Sequence, residues 1–139
     1  MSSKKGKTKP TNNYYMGLAL ALARENAGLT KENPSVGCVL VKNNQIISTG
    51  ITSENGRPHA EYNAVKNSVD NVSGSTAYVT MEPCTHKGKT DPCSSLLIKS
   101  KIKKVYFSVP DIDERTSNKA LKSLKKKVLL SKREFLKEK

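Results

Sequence analysis

His59, Glu61, Cys84 and Cys93 are the residues of this chain whose types and spacing most directly offer chemistry. They lie in two short segments, "PHAE" over 58–61 and "PCTHKGKTDPC" over 83–93. An imidazole and two thiolates form a borderline-soft donor set that suits Zn²⁺. Three protein ligands leave a fourth position open, the pattern of a catalytic zinc. Water at that position has its pKa lowered towards about 7, which supplies hydroxide at neutral pH. Glu61 then fits the part of a carboxylate that serves the water without binding the metal.

The spacing constrains where such a site can lie. In mid-helix, residues i and i+2 point about 200° apart, so His59 and Glu61 can share one site only at a helix N-terminus. Pro58 before His59 and Pro92 before Cys93 agree with that placement, because proline is favoured in the first helical turn. Two helix N-termini facing one metal would also favour thiolate over thiol. Other readings of the same residues remain open. Cys84 and Cys93 could close a disulfide loop, though cytosolic thiols more often serve metals or cores. His86, two residues past Cys84, is a rival ligand to Cys93. Cys38, in the apolar run "GCVLV", reads as a small core residue.

The elements that must hold these residues can be read from periodicity. Residues 1–12 carry Lys, Ser, Gly, Pro and Asn and are expected to be a disordered basic tail. From Asn13, "NNYYMGLALALARENAG" puts Tyr15, Leu18, Ala19 and Leu22 on one helical face, with Gly28 as a stop. Val36–Gly50 reads as a hairpin turned at "KNNQ", its first strand buried. A helix is expected over "HAEYNAVKNSV", a strand over "GSTAYVTME", and a short helix from near Cys93. "IKKVYFSVPD" reads as a strand ending at Pro110, "NKALKSLKKK" as a helix, "VLL" as a short last strand and "SKREFLKEK" as a terminal helix. The order implies a three-layer α/β/α domain, with a mixed sheet of about five strands flanked by helices. The domain is expected over 13–130, followed by a basic extension over 131–139.

At 139 residues the chain has room for one core. The net charge of +13 invites a nucleic-acid reading, but its distribution argues otherwise. Residues 1–10 hold four Lys and no acid, and residues 119–139 hold nine Lys/Arg and two Glu, which leaves the body between near +2. Aromatic residues for base stacking are not interleaved with the lysines. No run is long enough for a membrane helix, and the start "MSSKKGKTKPTNN" has no apolar segment of a secretory signal. A cytoplasmic protein is the default expectation.

H-x-E followed by P-C and a second P-C matches the zinc deaminase signature, with one departure: the cysteines are separated by eight residues here and by two in the signature. The longer loop adds His86, Lys87 and Lys89, basic groups able to meet an anion such as a phosphate. On "NPSVGCVLV", "GRPHAE", "GSTAYVTMEPCTHKGKTDPC" and "LLIKSKIKKVYFSVPD", the chain resembles the deaminase domain of bacterial riboflavin-biosynthesis proteins, within the cytidine deaminase-like fold. The segment "EPCTHKGKTDPC" carries most of that specificity, close to E-P-C-S-H-x-G-R-T-P-P-C.

The resemblance implies hydrolytic removal of the 2-amino group of 2,5-diamino-6-(5-phosphoribosylamino)pyrimidin-4(3H)-one. It implies one Zn²⁺ per chain on His59, Cys84 and Cys93, Glu61 as the proton carrier, and Glu82 as a support of the site. It implies substrate contacts from Asn33, Ala60, His86, Lys89, Asp111 and Asp113. Thr52 stands where many members have His, and Arg57 is expected to take up part of that contact. Asp113 replaces a frequent Asn, and Lys89 replaces Arg, which keeps charge but loses the bidentate fork. A reductase usually follows the deaminase in this family; here a separate reductase acting on the product is expected. A homodimer or homotetramer is expected as well. A tRNA adenosine deaminase and a non-catalytic zinc-stabilised scaffold are the competing readings. The short C-x-x-C spacing of the first is missing, and the second has no use for Glu61.

Overall fold

The computed structural model describes residues 12–31, 33–81, 92–109 and 129–132. In chain order the elements are α1 (Asn12–Glu25), β1 (Gly37–Lys42), β2 (Gln45–Ile51), a single 3₁₀ turn (Glu54–Gly56), α2 (Ala60–Asn67), β3 (Thr76–Met81), α3 (Cys93–Lys99), β4 (Lys104–Val109) and β5 (Leu129–Lys132). The strands form one five-stranded sheet in the order β2-β1-β3-β4-β5. β1 pairs antiparallel with both β2 and β3, while β3, β4 and β5 run parallel. The expected mixed sheet of about five strands is therefore present. β5 covers the expected last strand and continues through Ser131 and Lys132, where the sequence pattern suggested a terminal helix, so sheet pairing passes the expected domain boundary at 130. Of the tail expected over 1–12, Asn12 instead opens α1, and residues 1–11, the helix expected over 118–127 and the end of the chain over 133–139 lie outside the described residues. Among the described residues no helix is long and apolar enough to cross a membrane.

Side chains alternate along β1 and so build two cores. Cys38 and Leu40 face Ala60, Ala64, Leu97 and Phe107, under α2 and α3. Val39 and Val41 face Tyr15, Met16 and Ala19 of α1, with Tyr78 and Tyr106 beside them. Helices thus cover both faces of the sheet, the three-layer arrangement that the element order implied. The α1 face departs from the expected set in three residues: Met16 is fully buried, while Leu18 and Leu22 are only partly so. On this face the rings of Tyr15, Tyr78 and Tyr106 sit in succession with centroids 5.2 and 5.1 Å apart. They supply bulk in a chain that has no Trp.

The hairpin turns at Asn43 and Asn44, whose φ values of 54° and 64° are those of a two-residue turn that matches strand twist. Asn tolerates this left-handed region better than other non-glycine residues. Two close approaches fix the layers. A Cβ at Gly37 would lie 2.0 Å from the Ala19 carbonyl oxygen, so α1 rests directly on the start of β1. A Cβ at Gly50 would lie 2.2 Å from the Ala60 carbonyl oxygen and 2.4 Å from the Ala64 nitrogen, so α2 rests on the end of β2. Both obstacles at Gly50 are backbone atoms and cannot rotate away.

Gly50→Ala is accordingly expected to destabilise the fold by at least about 2 kcal/mol, in the range of overpacked cores. Gly74 has φ of 83°, and a Cβ there would meet nothing within 4 Å, so Gly74→Ala is expected to cost only about 1 kcal/mol of backbone strain. Denaturant unfolding of the two variants side by side checks the order.

Candidate metal centre

α2 and α3 lie on the same face of the sheet, and their N-termini bring the expected residues together. His59 is the N-cap of α2, with φ −75° and ψ 165°, and Glu61 is the second residue of the helix. Cys93 is the first residue of α3, preceded by Pro92 as N-cap. The prolines therefore sit just outside the helices and not in their first turns, Pro58 one residue before the cap and Pro92 on it. Extended backbone at His59 turns its side chain out of the helical rotation. This is how residues 59 and 61 share a site that mid-helix geometry would forbid.

Nδ1 of His59 lies 3.5 Å from Sγ of Cys93. A ligand atom from each of His59, Glu61 and Cys93 falls within 4.8 Å of the others. The donor set can be tested against zinc on the first distance. A tetrahedral ion about 2.3 Å from sulfur and about 2.05 Å from nitrogen places those two atoms about 3.6 Å apart. The observed separation fits an ion held between them. Cys84, the third expected ligand, and His86, its rival, lie outside the described residues, as does Glu82.

Glu61 and Cys93 are each 4% exposed, and His59 is half-buried. Beneath the site Cys38 is fully buried, and its thiol is pushed well above the ordinary range, first by burial and then by the Glu61 carboxylate. Cys38 thus stays a neutral thiol and acts as core, as its apolar context suggested.

The substrate-side residues divide. Asn33 donates through Nδ2 to the Gly56 carbonyl oxygen at 2.9 Å, which ties the loop before β1 to the loop before α2. Thr52 is 1% exposed, and its hydroxyl oxygen accepts from the Val36 N–H at 2.9 Å. Its hydroxyl is thus engaged with the residue before β1, and it holds the start of β1 to the end of β2. The Ala60 methyl belongs to the core under α2, so any contact from this residue would come from its backbone at the helix start. Arg57 is half-buried between the 3₁₀ turn and Pro58. Lys89, Asp111 and Asp113 lie outside the described residues.

Several residues that hold the site were not singled out by sequence. Asn26 donates through Nδ2 to the Thr52 carbonyl at 2.8 Å, and Asn55 N–H donates to the Leu29 carbonyl at 2.9 Å, so the two loops are laced together. Asn63, in α2, donates to Ile51, Ser53 and Pro58. The available signal was an Asn in mid-helix, a position where its side chain competes with the backbone and usually has another task.

Comparison with known proteins agrees with this geometry. Residues 9–109 match the family described as the cytidine and deoxycytidylate deaminase zinc-binding region. The chain is 52% identical over 97 residues to the riboflavin biosynthesis protein RibD of Actinobacillus pleuropneumoniae, covering 70% of this chain and 26% of that protein. It is 42% identical to the diaminohydroxyphosphoribosylamino-pyrimidine deaminase of Buchnera aphidicola (Schizaphis graminum), covering 82% of this chain and 78% of that one. Among solved structures, Acinetobacter baumannii RibD superposes with a TM-score of 0.82 at 39% identity, over 87% of this chain and 34% of RibD. Aspergillus oryzae Rib2 deaminase, solved in complex with DARIPP, gives 0.72 at 25% identity, over 91% and 86%. The chain thus spans about a quarter to a third of the length of the RibD relatives it matches.

The burial of Cys38 has a measurable consequence. In the folded protein Cys38 should resist an alkylating reagent at about pH 8.5, where an ordinary thiol is half ionised. Because its pKa is raised on folding, the unfolded chain binds fewer protons above that pH. Cys38 therefore subtracts stability as pH rises through the ordinary thiol range. Peptide mass mapping after alkylation, native against urea-unfolded, checks the first point: label at Cys38 should appear only after unfolding.

Proposed function

The chain belongs to the cytidine and deoxycytidylate deaminase family, and on that premise we propose that it hydrolyses the 2-amino group from 2,5-diamino-6-(5-phosphoribosylamino)pyrimidin-4(3H)-one, giving 5-amino-6-(5-phosphoribosylamino)uracil and ammonia. The observation that carries the reaction type is the pairing of His59 Nδ1 and Cys93 Sγ at a zinc-compatible 3.5 Å with the Glu61 carboxylate within 4.8 Å. The substrate follows from similarity to deaminases named for it, one of them matched over most of both chains.

His59, Cys93 and Cys84 would hold one zinc per chain, with Cys84 entering from residues outside those described. When bound, zinc supplies a Lewis acid that makes water nucleophilic at neutral pH. Glu61 takes a proton from the attacking water and delivers it to the pyrimidine ring nitrogen next to C2. It then passes a proton to the departing amine, so that the C2–N bond breaks with loss of ammonia and C2 keeps the oxygen. Two features of the site suit this task. Burial keeps bulk water from competing for the proton, and the first turn of α2 offers a positive dipole end that favours the carboxylate form between transfers.

Asn33 is bonded through its amide nitrogen to Gly56, which points its carbonyl oxygen away from the latch and suits it to accept from a substrate N–H. Arg57, with His86 and Lys89, would meet the ribose phosphate, a pairing favoured by charge-assisted hydrogen bonds. Asp111 and Asp113 complete the set proposed for the substrate. The product is a substrate for a reductase, on this polypeptide or another, and the setting proposed is a cytoplasmic homo-oligomer.

Glu61→Gln should lower kcat at least about a hundredfold while zinc content, read by atomic absorption, stays at the wild-type level. Retained turnover would remove Glu61 from the mechanism. With the phosphoribosylamino-pyrimidine and cytidine offered together, mass spectrometry should find only the aminouracil product. Deamination of cytidine in its place would overturn the substrate assignment and leave the reaction type standing.

A further inference from the structure

We propose that Asn63 is a positioning residue for the metal centre: its side-chain amide fixes the Pro58–His59 peptide, and through it the direction of the His59 imidazole. The inference rests on the zinc reading of His59 and Cys93 given above.

Asn63 is the fourth residue of α2, one helical turn beyond His59. Side chains on a helix lean towards its N-terminus, so a residue at this position covers the turn that begins at the cap. Nδ2 of Asn63 lies 2.8 Å from the Ile51 carbonyl oxygen, 3.0 Å from the Ser53 hydroxyl oxygen and 3.3 Å from the Pro58 carbonyl oxygen. Two of these partners are carbonyls, which only accept, so the donor end of the amide must face them. The Pro58 carbonyl also accepts the Ser53 N–H at 3.0 Å, and the Asn63 N–H donates to the His59 carbonyl at 3.1 Å. Both carbonyls flanking the His59 backbone nitrogen and α-carbon are therefore bonded, the Pro58 carbonyl to the Asn63 amide and the Ser53 N–H, the His59 carbonyl to the Asn63 N–H.

The consequence lies in a single torsion. His59 is in extended backbone, ψ 165°, while Ala60 after it is helical. A cap residue has freedom that a helical residue lacks, and the path of its side chain follows its flanking peptides. Fixing the Pro58–His59 peptide against the end of β2 sets the direction of the His59 Cα–Cβ bond, from which the imidazole reaches Cys93 at 3.5 Å. The same amide satisfies the Ile51 carbonyl where β2 leaves the sheet, so the strand end, the loop over 52–58 and the helix start move as one piece. Asn67 provides an internal comparison. It lies one turn further along α2 and donates through Nδ2 to the Thr49 carbonyl at 3.3 Å. That bond docks the helix on β2 without touching the His59 peptide.

The test uses the full chain and zinc alone, by competition with a chromogenic chelator. Asn63→Asp keeps the shape, removes both donors and sets a carboxylate oxygen against two carbonyls. It is expected to weaken zinc about ten- to a hundredfold, the usual effect of removing a group that orients a ligand. Asn67→Ala is expected to leave zinc affinity within about twofold of wild type, well short of that loss. Should Asn63→Asp fail to fold, Asn63→Ala reads the same loss without the added charge, and melting of the metal-free variants separates affinity from stability. Wild-type affinity in both Asn63 variants overturns the proposal while leaving the metal centre in place, as does an equal loss in Asn67→Ala, which would make the effect one of helix docking. Absence of zinc binding in the wild type removes the metal centre itself and the positioning role with it.

Discussion

Everything at the metal centre depends on how closely α2 lies against β2. At Gly50 the strand backbone meets the helix backbone with no room for a methyl group, the Ala60 carbonyl and Ala64 nitrogen standing where a Cβ would go. Alanines at 60 and 64 keep the helix side equally thin, and both are fully buried. A contact of this kind sets a distance rather than a strength. With α2 lowered onto the sheet, its N-terminus reaches the level of the N-terminus of α3, and His59 and Cys93 come within reach of one ion. A larger residue at any of these three positions would lift the helix and open the 3.5 Å pair.

The apolar contacts place the layers, but hydrogen bonds place the site. The loops before β1 and before α2 carry little buried hydrophobic surface, and they are held by a series of directional bonds: Asn26 to Thr52, Thr52 to Val36, Asn55 to Leu29, Asn33 to Gly56, and Asn63 to Ile51 and Pro58. Each such bond contributes only about 1 kcal/mol net. Their value here is angular. A metal ligand on a helix cap needs its backbone direction set to within a few degrees, which dispersive packing does not supply. The same logic accounts for Thr52. Its buried hydroxyl joins the residue before β1 to the end of β2, and Arg57 is the basic group of the loop that follows.

Much of the fold was legible because its signals are short-range. Alternation in "GCVLV", the Asn-Asn turn and the helical spacing from Tyr15 to Leu22 each depend on residues within one element, and the elements formed where the pattern put them. The ligand set was legible for a different reason: His, Glu and Cys are few, and the i/i+2 constraint leaves a helix start as the one place where residues 59 and 61 can meet. What did not show was what depends on contact between elements. Met16 joins Tyr15 and Ala19 on the buried face of α1, which lies against the start of β1 at Gly37, a contact between elements that no periodicity encodes. Ser131 and Lys132 pair with β4 although their polar run reads as helix, because an edge strand accepts polar residues once a partner strand is offered. Thr52 and Ala60 look available in the sequence and are buried in the fold. Asn63 carried a weak signal, an unfavourable helix residue without a reason; the reason is a bond to a strand twelve residues earlier.

The burial of Glu61 bears on whether this domain is a working site or a zinc-stabilised scaffold. A carboxylate at 4% exposure gives up most of its hydration, and the effective penalty for an ion in such a place is several kcal/mol before its partners offset it. It also adds to the burial that holds the Cys38 thiol neutral beneath the site. A structural zinc needs four tight ligands and gains nothing from a fifth, charged group set beside them. A scaffold could relieve the cost with Gln or Leu at this position and keep His59 and Cys93 where they are. A site that must move protons cannot, because the group has to be ionisable, within reach of the metal's open position, and shielded from bulk water. The cost at Glu61 therefore favours the proposed proton transfer over a purely structural metal.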